Sequence, residues 1–185
     1  MIRKIIFGAA VMGSAAMLAL TGCSKSEKQE TATQGRDTGG MVTSAPAVDS
    51  PIITELKARL DAKPKDADTL QKLGDAYFDA KRFNEAADYY KKALELKPGD
   101  ADLYNDLGLA MHYLGNSAEG LTYIEQGIKK NPYHQRIWLT KGFVLAYGMG
   151  DMNGARAAWE KAQAIDPQSQ VGKAATEFLA QVNKK

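Results

Sequence analysis

Apolar residues through the body of the chain recur with the spacing of amphipathic helices. Leu70, Leu73 and Tyr77 follow one another at intervals of three and four residues, which places them on one face of a helix. Ala86 and Tyr90 begin a second stripe of the same kind after a short polar stretch. The pattern predicts two antiparallel helices joined by a tight turn.

This two-helix pattern repeats with a period of 34 residues. Pro64, Pro98 and Pro132 are each 34 residues apart, and Pro167 follows after 35. Glycine recurs at the same interval, at positions 74, 108 and 142. A fixed period of this size is typical of a solenoid, whose units bury their apolar faces only against neighbouring units.

The repeat resembles the tetratricopeptide repeat (TPR). The family has characteristic residues at positions 4, 7, 8, 11, 20, 24, 27 and 32 of the repeat, and repeat one (67–100) carries all of them: Leu70, Leu73, Gly74, Tyr77, Ala86, Tyr90, Ala93 and Pro98. Repeat two (101–134) keeps the size classes. Repeat three (135–169) departs at Lys141 and has one extra residue in the turn at 147–153. The resemblance implies an all-α fold, a right-handed TPR superhelix (α-solenoid) of three repeats.

Two further apolar stripes flank the repeats. Residues 51–66 predict a leading helix that packs against repeat one, and residues 170–185 predict a C-terminal capping helix that covers the last apolar face. The TPR domain is therefore expected to span residues 51–185 and to contain eight helices.

The N-terminal residues resemble a bacterial lipoprotein signal. Arg3 and Lys4 precede an uncharged stretch over residues 5–20, which is short for a membrane span of about 20 residues. The next residues, LTGC, resemble the lipobox, which ends at Cys23. The resemblance implies that residues 1–22 are removed, that the Cys23 thiol carries a diacylglyceryl group and that its new amine is acylated. The alternative, an ordinary secreted protein, would leave an odd free thiol in an oxidising compartment.

Residues 23–50 are predicted to be the lipidated cysteine and a flexible linker. The segment is rich in Ser, Thr, Gln, Gly, Lys and Glu and has few large apolar residues, so it cannot bury enough surface to offset its ordering entropy. Ser24 stands where Asp would imply retention at the inner membrane of a Gram-negative cell. We therefore expect a protein of the cell envelope that is held by its lipid at the outer membrane and faces the periplasm.

Composition excludes several classes of function. Hydrophobic residues are 44% and charged residues 25%, as in an ordinary globular protein. Without residues 1–22, 22 basic and 22 acidic residues remain, a balance that argues against nucleic acid as the partner.

The sequence also lacks the common motifs of catalytic and metal-binding sites. One cysteine and two histidines cannot form an intramolecular disulfide or a His/Cys zinc site. The sequence has no Gly-rich phosphate loop, no HExxH spacing and no EF-hand loop. We therefore predict no enzymatic activity, no metal, no cofactor beyond the lipid on Cys23 and no small-molecule substrate.

The family resemblance implies a concave groove lined by positions 2, 5, 9, 12 and 13 of the first helix of each repeat. These positions hold Asp68, Gln71, Asp75, Phe78 and Asp79 in repeat one, Asp102, Asn105, Leu109, His112 and Tyr113 in repeat two, and Arg136, Leu139, Phe143, Ala146 and Tyr147 in repeat three. The predicted groove is acidic at its N-terminal end and aromatic or apolar toward its C-terminal end, with Arg136 and His112 as donors. A peptide with a basic stretch beside an apolar anchor would complement it. The alternative is that the carboxylates are merely solvated and that Phe143, Leu109 and Leu139 pack inside the groove wall.

One TPR sub-family is unlike this chain. Chaperone-binding TPR domains hold a peptide C-terminal carboxylate with Lys, Asn and Arg side chains. The corresponding positions here are Gln71, Asp75, Asp106, Arg136 and Thr140, of which only Arg136 has the required charge. This mode of binding is therefore not expected.

These observations predict a lipid-anchored TPR adaptor of the bacterial envelope that binds a protein or peptide partner in its groove. Known TPR lipoproteins of this shape serve pilus and secretin assembly, outer-membrane protein assembly and peptidoglycan enzymes. The alternative is a TPR accessory that captures a substrate for an envelope enzyme system such as cytochrome c maturation. A co-purified CxxCH-bearing chain would favour the second, and a secretin or a peptidoglycan hydrolase the first.

Overall fold

Eight α-helices follow one another along residues 49–182, the part of the chain that the computed structural model describes. They are α1 Pro51–Ala62, α2 Ala67–Asp79, α3 Phe83–Leu96, α4 Ala101–Tyr113, α5 Ser117–Lys130, α6 Gln135–Val144, α7 Met152–Ile165 and α8 Gln170–Val182. None of these eight helices is both long and apolar enough to cross a membrane. The predicted signal peptide, Cys23 and the linker up to residue 48 lie outside the described residues.

Equivalent aspartates begin the first helices of repeats one and two. Asp66 accepts hydrogen bonds from the backbone N–H groups of Asp68 and Thr69, at 3.1 and 3.3 Å. Asp100, 34 residues later, accepts from the corresponding two N–H groups of α4. Such caps satisfy N–H groups that have no partner inside the helix, and they stop the chain from continuing the preceding helix. Aspartate is one of the residue types that helix N-cap positions prefer.

Small residues allow the two helices of each repeat to approach closely. A Cβ atom added to Gly74 would lie 2.5 Å from the ring of Tyr90, and one added to Gly142 would overlap the indole of Trp159. In repeat two the backbones themselves meet, because a Cβ on Gly120 would lie 2.5 Å from the carbonyl oxygen of Gly108. The 34-residue period of glycine therefore follows from interhelical packing.

The two end helices complete the apolar core. On α1, Ile53 and Leu56 are buried and belong to the cluster that fills the space between α2, α3 and α4. On α8, Ala175 is buried and Phe178 stacks on Trp159, with ring centroids 4.8 Å apart. The predicted fold class, an all-α TPR solenoid of three repeats with a leading and a capping helix, is confirmed.

The extra residue of repeat three is absorbed by a π-helical turn. Residues Leu145–Met149 continue α6 with this wider turn, and Gly150 then reverses the chain at φ 70°. The turns of the first two repeats are tighter and place Lys81 and Gly115 in the left-handed region, at φ 59° and 85°. The sequence predicted the insertion, but its position inside the end of the helix is a finding of the structure.

Candidate functional site

Six aromatic rings form a continuous series across α2, α3, α4 and α6, which we call the aromatic row. Neighbouring rings in the series contact one another with centroids 4.9 to 5.5 Å apart, and a further pair lies at 6.4 Å. Stacked, edge-on and tilted pairs all occur, which are the arrangements that aromatic rings prefer. The members are Phe78, Phe83, His112, Tyr113, Phe143 and Tyr147. The row thus joins all three repeats.

Part of the aromatic row is open to solvent. The exposed fractions of Tyr113 and Tyr147 are 43% and 59%, whereas the phenylalanines and His112 are half-buried. Met149, beyond Tyr147 in the π turn, is also exposed. The half-buried rings hold the exposed tyrosines in place, so the row presents a preformed apolar surface with phenolic hydroxyl groups.

The π turn helps to position the middle of the row. His112 Nδ1 lies 2.9 Å from the hydroxyl oxygen of Ser117 at the start of α5. Gly148 packs on this pair, since a Cβ atom there would overlap the side chain of Ser117 and lie 2.8 Å from His112 Nδ1. Burial lowers the pKa of His112 and raises that of Tyr113, so both side chains are uncharged at neutral pH.

A polar network lies nearer the N-terminal ends of α4 and α6. Asp102 Oδ1 lies 2.6 Å from Arg136 Nη2 and 3.0 Å from His134 Nε2, and Asp106 Oδ1 lies 3.2 Å from Arg136 Nη2. The Nδ1 atom of His134 accepts the backbone N–H of Ile137 and caps α6. The hydrogen bond from His134, together with the charge of Arg136, lowers the pKa of Asp102 to about 2. The network links repeat two to repeat three.

Two residues predicted to line the groove lie in the interior instead. Leu139 is 1% exposed and packs among core residues of α7 and α8, because the close approach of α6 to those helices covers it. Asn105 is 2% exposed and donates to Asp106 at 3.2 Å, while its own carbonyl oxygen has no hydrogen-bond partner. The surface assignment of both side chains is therefore wrong, and for Leu139 the alternative of packing inside the wall is correct.

Two of the other predicted residues of repeat one carry polar contacts. Asp68 forms an ion pair with Lys97 at 2.6 Å, and Asp75 accepts a hydrogen bond from the hydroxyl of Tyr90 at 2.9 Å. Gln71 is half-buried and Asp79 is exposed, and Leu109 of α4 is half-buried. The structure therefore places three carboxylates and one ring of the aromatic row on α2. Contact of these residues with a partner stays a prediction.

Sequence reasoning missed two parts of the site. Phe83 is the first residue of α3 and stacks on Tyr113 at 4.9 Å, although no first-helix position contains it. The sequence feature that could have identified Phe83 is an aromatic residue directly after the turn, five positions beyond Phe78. The link between Asp102 and His134 was also missed, because it joins side chains 32 residues apart. Residues 49–182 contain no group of three or more side chains suited to hold a metal ion.

Comparisons with known proteins identify the same type of repeat. A family model described as "TPR repeat" matches residues 74–115. A crystal structure of MamA is 24% identical with a TM-score of 0.58, and the match covers 71% of this chain and 85% of that one. The first TPR domain of Spaghetti (RPAP3), bound to the HSP90 peptide SRMEEVD, is 19% identical with a TM-score of 0.57, covering 64% of this chain and 90% of that one. The Sgt2 TPR domain from Aspergillus fumigatus is 22% identical with a TM-score of 0.58, covering 64% and 77%.

No curated protein sequence matches this chain. The family model and the solved structures agree with the helix packing described above, and residues 51–182 form a TPR solenoid. TPR domains are generally scaffolds that hold other proteins and not enzymes. The fold therefore indicates a protein-interaction scaffold.

Proposed function

We propose that this protein is a lipid-anchored adaptor of the bacterial cell envelope that holds a protein or peptide partner on the aromatic row. The observation that carries the proposal is the continuity of the row, whose six rings join all three repeats while Tyr113 and Tyr147 stay exposed. Tyrosine offers a large contact area at a low cost in side-chain entropy, and it is enriched among the residues that dominate binding energy. A preformed surface of this kind favours association with another chain.

The anchor in this proposal is the lipid on Cys23. Residues 24–50 separate it from α1, and a flexible segment of this length reaches about 30 Å. The tether joins the domain at Asp49, whose carboxylate lies 2.6 Å from both Lys57 Nζ and Arg82 Nη1. The domain would thus work close to one membrane surface, where a partner anchored in that membrane is locally concentrated.

The ligand differs in chemistry from the one held by the RPAP3 domain. The peptide in that structure, SRMEEVD, is rich in acidic residues. In this chain Gln71 and Asp75 occupy the positions at which a carboxylate-binding TPR carries Lys and Asn, and Asp75 would repel an acidic ligand. We therefore propose that the partner is not a peptide of that acidic class.

Crosslinking in membranes of the native host, followed by capture of the full chain and mass spectrometry, tests the proposal. The informative variant combines Tyr113→Ala, Phe143→Ala and Tyr147→Ala. The matched control is Tyr133→Ala, since Tyr133 is 75% exposed and lies outside the aromatic row. A partner that is captured by the wild-type chain and the control but lost from the triple variant would support the adaptor role.

Equal capture by the triple variant would remove the aromatic row from the interaction. Circular dichroism of each variant must show an intact fold, because Phe143 is half-buried. Mass spectrometry of the mature chain tests the anchor: an N-terminal Cys23 that carries the added mass of acyl groups would support it, and an unmodified Cys23 thiol would contradict it. The identity of the captured protein would separate a role in envelope assembly from a role in cytochrome c maturation.

A further inference from the structure

We infer that one edge of the solenoid docks on the surface of a phospholipid bilayer through the exposed methionines of the π turn. We call it the tether edge, because the tether enters the domain there. It consists of the chain entry at Asp49 and of the turns within the three repeats, residues 80–82, 114–116 and 145–151. The contact rests on the proposed function, because the lipid on Cys23 is what holds the domain at a membrane.

The order of the helices brings these segments to one side of the domain. Short turns join consecutive helices, which therefore run antiparallel, so the turns within the repeats share one end of the bundle. Contacts link neighbouring segments of this edge, since Phe83 at the start of α3 stacks on Tyr113 and Gly148 of the π turn packs on Ser117. The loops between repeats lie at the opposite edge, about 20 Å away along a helix of 13 residues.

The chain enters the domain at a fixed point of the tether edge. The carboxylate of Asp49 lies 2.6 Å from both Lys57 Nζ and Arg82 Nη1. Arg82 belongs to the turn between α2 and α3, so this ion pair holds the entry against the edge. Residues 24–48 connect the entry to Cys23, and the tether edge can meet the membrane without the chain passing around the domain.

Exposed apolar side chains are concentrated on the same edge. In the part of the chain that the structure describes, seven large hydrophobic side chains are exposed, and five of them lie at the tether edge. Two of the five, Tyr113 and Tyr147, belong to the aromatic row. The others are Ile52, Met149 and Met152, with exposed fractions of 58%, 50% and 41%. These three occupy no groove position of the repeat, so the proposed capture of a partner does not account for them.

The π turn presents its methionines on a preformed support. Met149 stands between Gly148 and Gly150, neither of which has a side chain that could cover it. Gly148 is packed on α5, whereas a Cβ atom on Gly150 would meet nothing within 4 Å, so the tip of the turn projects from the fold. The equivalent turns at residues 80–82 and 114–116 hold no exposed large hydrophobic residue. The apolar projection is therefore confined to repeat three, the repeat with the extra residue.

Charge at the tether edge does not favour an anionic surface. The chain entry, the turns and the three residues of each adjoining helix end carry five acidic and two basic side chains, which are Asp49, Asp79, Glu85, Glu119 and Asp151 against Lys81 and Arg82. Residues 145–154 contain a single charged side chain, that of Asp151, which accepts the backbone N–H of Gly154 at 2.9 Å. The π turn therefore fits a zwitterionic lipid surface through apolar contact.

A lipid surface suits the chemistry of this turn. Exposed apolar groups with polar neighbours mark sites of contact with proteins or membranes, and the flexible methionine side chain adapts to irregular surroundings. Tyr147, at the start of the exposed part of the turn, has the amphipathic ring that is enriched where membranes meet water. Because the tether keeps the domain close to the bilayer, a contact that is weak by itself is populated.

Quenching of a fluorescent label by lipid tests the contact. The full, acylated chain is reconstituted into phosphatidylcholine vesicles that contain a headgroup spin-labelled phosphatidylcholine as quencher. The label is placed at Asn153→Cys, an exposed position of the π turn region that leaves both methionines in place. The control label is at Tyr133→Cys, on the opposite edge. We expect quenching and a blue shift of emission for the label at 153 and neither change for the label at 133.

Variants show whether the methionines make the contact. Met149→Gln with Met152→Gln, in the chain labelled at 153, should abolish the quenching, because glutamine has a similar length and is polar. The matched control is Leu96→Gln, since Leu96 is 41% exposed and lies at the opposite edge, and it should leave the quenching unchanged. Addition of anionic phosphatidylglycerol should not increase the quenching. Circular dichroism checks that each variant keeps its fold.

Three results would overturn the contact. Equal quenching of the labels at 153 and 133 would show that the domain tumbles freely on its tether. A blue shift without lipid quenching that grows with the amount of protein per vesicle would assign the turn to a second copy of the chain. A blue shift that occurs in native membranes and not in the pure vesicles would assign it to a protein partner.

Failure of the contact is distinguishable from failure of the proposed function. Mass spectrometry that finds the label on Cys23 would show that no lipid occupies this thiol, and the anchor and the contact would then fall together. If Cys23 is acylated and the triple aromatic-row variant loses the native partner, while the labels at 153 and 133 behave alike, the proposed function stands and the contact alone fails.

Discussion

Repeat one and repeat three have the same interior and different exposed surfaces. Tyr90 lies over Gly74 in repeat one, and Trp159 lies over Gly142 at the equivalent place in repeat three. Both large side chains are almost fully buried, and each makes a hydrogen bond, from Tyr90 to Asp75 and from Trp159 Nε1 to the carbonyl of Leu139. One packing arrangement therefore accepts two different ring systems.

On the exposed side, the same positions hold residues of opposite character. Asp75 and Asp79 of α2 correspond to Phe143 and Tyr147 in repeat three. Phe143 and Tyr147 contact each other with centroids 4.9 Å apart, whereas Asp79 is exposed at the end of its helix. Packing between helices restricts only the buried positions, so the exposed positions are free to differ.

The largest effect is expected from truncating the equivalent buried rings. Trp159→Ala and Tyr90→Ala should each lower the free energy of unfolding by about 3–5 kcal/mol, because each leaves a cavity between two helices. Chemical denaturation of the full chain measures the loss. Tyr133→Ala is the control, and its 75% exposed side chain should cost no more than about 0.5 kcal/mol. A small cost for only one of the two buried rings would show that the two repeats are not packed alike.

A smaller effect is expected where the helix backbones meet. Repeats one and three carry Ala86 and Ala155 at the position of Gly120. Gly120→Ala should nevertheless destabilise the protein by about 1–2 kcal/mol, because the new Cβ would lie 2.5 Å from the Gly108 carbonyl oxygen, and this outweighs the higher helix propensity of alanine.

Gly99→Ala is the control for that substitution, since a Cβ atom there meets nothing within 4 Å. Thermal unfolding of the two variants side by side measures the difference. If Gly120→Ala is as stable as the control, the two helices of repeat two have room for a Cβ atom at this position, as those of repeats one and three do.

The pH dependence of stability tests the link between repeats two and three. The pKa of Asp102 is lowered from 3.8 to about 2, so its contribution is fully present above pH 3.8 and is lost as the pH falls through about 2. Since the side chain is half exposed, we expect this contribution to be below about 1 kcal/mol. Denaturation between pH 5 and pH 2 should show a smaller acid loss for Asp102→Asn than for the wild-type chain. If the free energy of unfolding falls equally with pH in Asp102→Asn and in the wild-type chain, the network does not stabilise the fold.

The smallest change in stability is expected from exchanging the exposed residues of the two repeats. Asp79→Tyr and Tyr147→Asp should each alter the free energy of unfolding by no more than about 0.5 kcal/mol, because both side chains are exposed. Urea denaturation tests this. A cost above about 1 kcal/mol for either variant would mean that its exposed position also supports the packing.

Much of the fold could be predicted because its determinants are local and repeated. The stripe of Leu70, Leu73 and Tyr77 specifies a helix face, and Asp100 specifies a helix start. The aromatic character of α4 and α6 at the groove positions was also predicted. The burial of Asn105 was not predicted, and that of Leu139 was predicted only as the alternative to lining the groove, because both depend on how closely α6 approaches α7 and α8 and how α4 packs against α6. Position within a repeat specifies the direction of a side chain but not its depth.

The sequence by itself determined the helices, their period and the residues that end them. Capping and the apolar stripe act over a few residues, and each copy of the pattern contacts only its neighbours. Only the tertiary structure decided that Phe83 completes the aromatic row, that Gly148 seats the π turn on His112 and Ser117, and that His134 binds Asp102. These contacts join residues of different elements, and their formation depends on distances that arise only when the helices are packed.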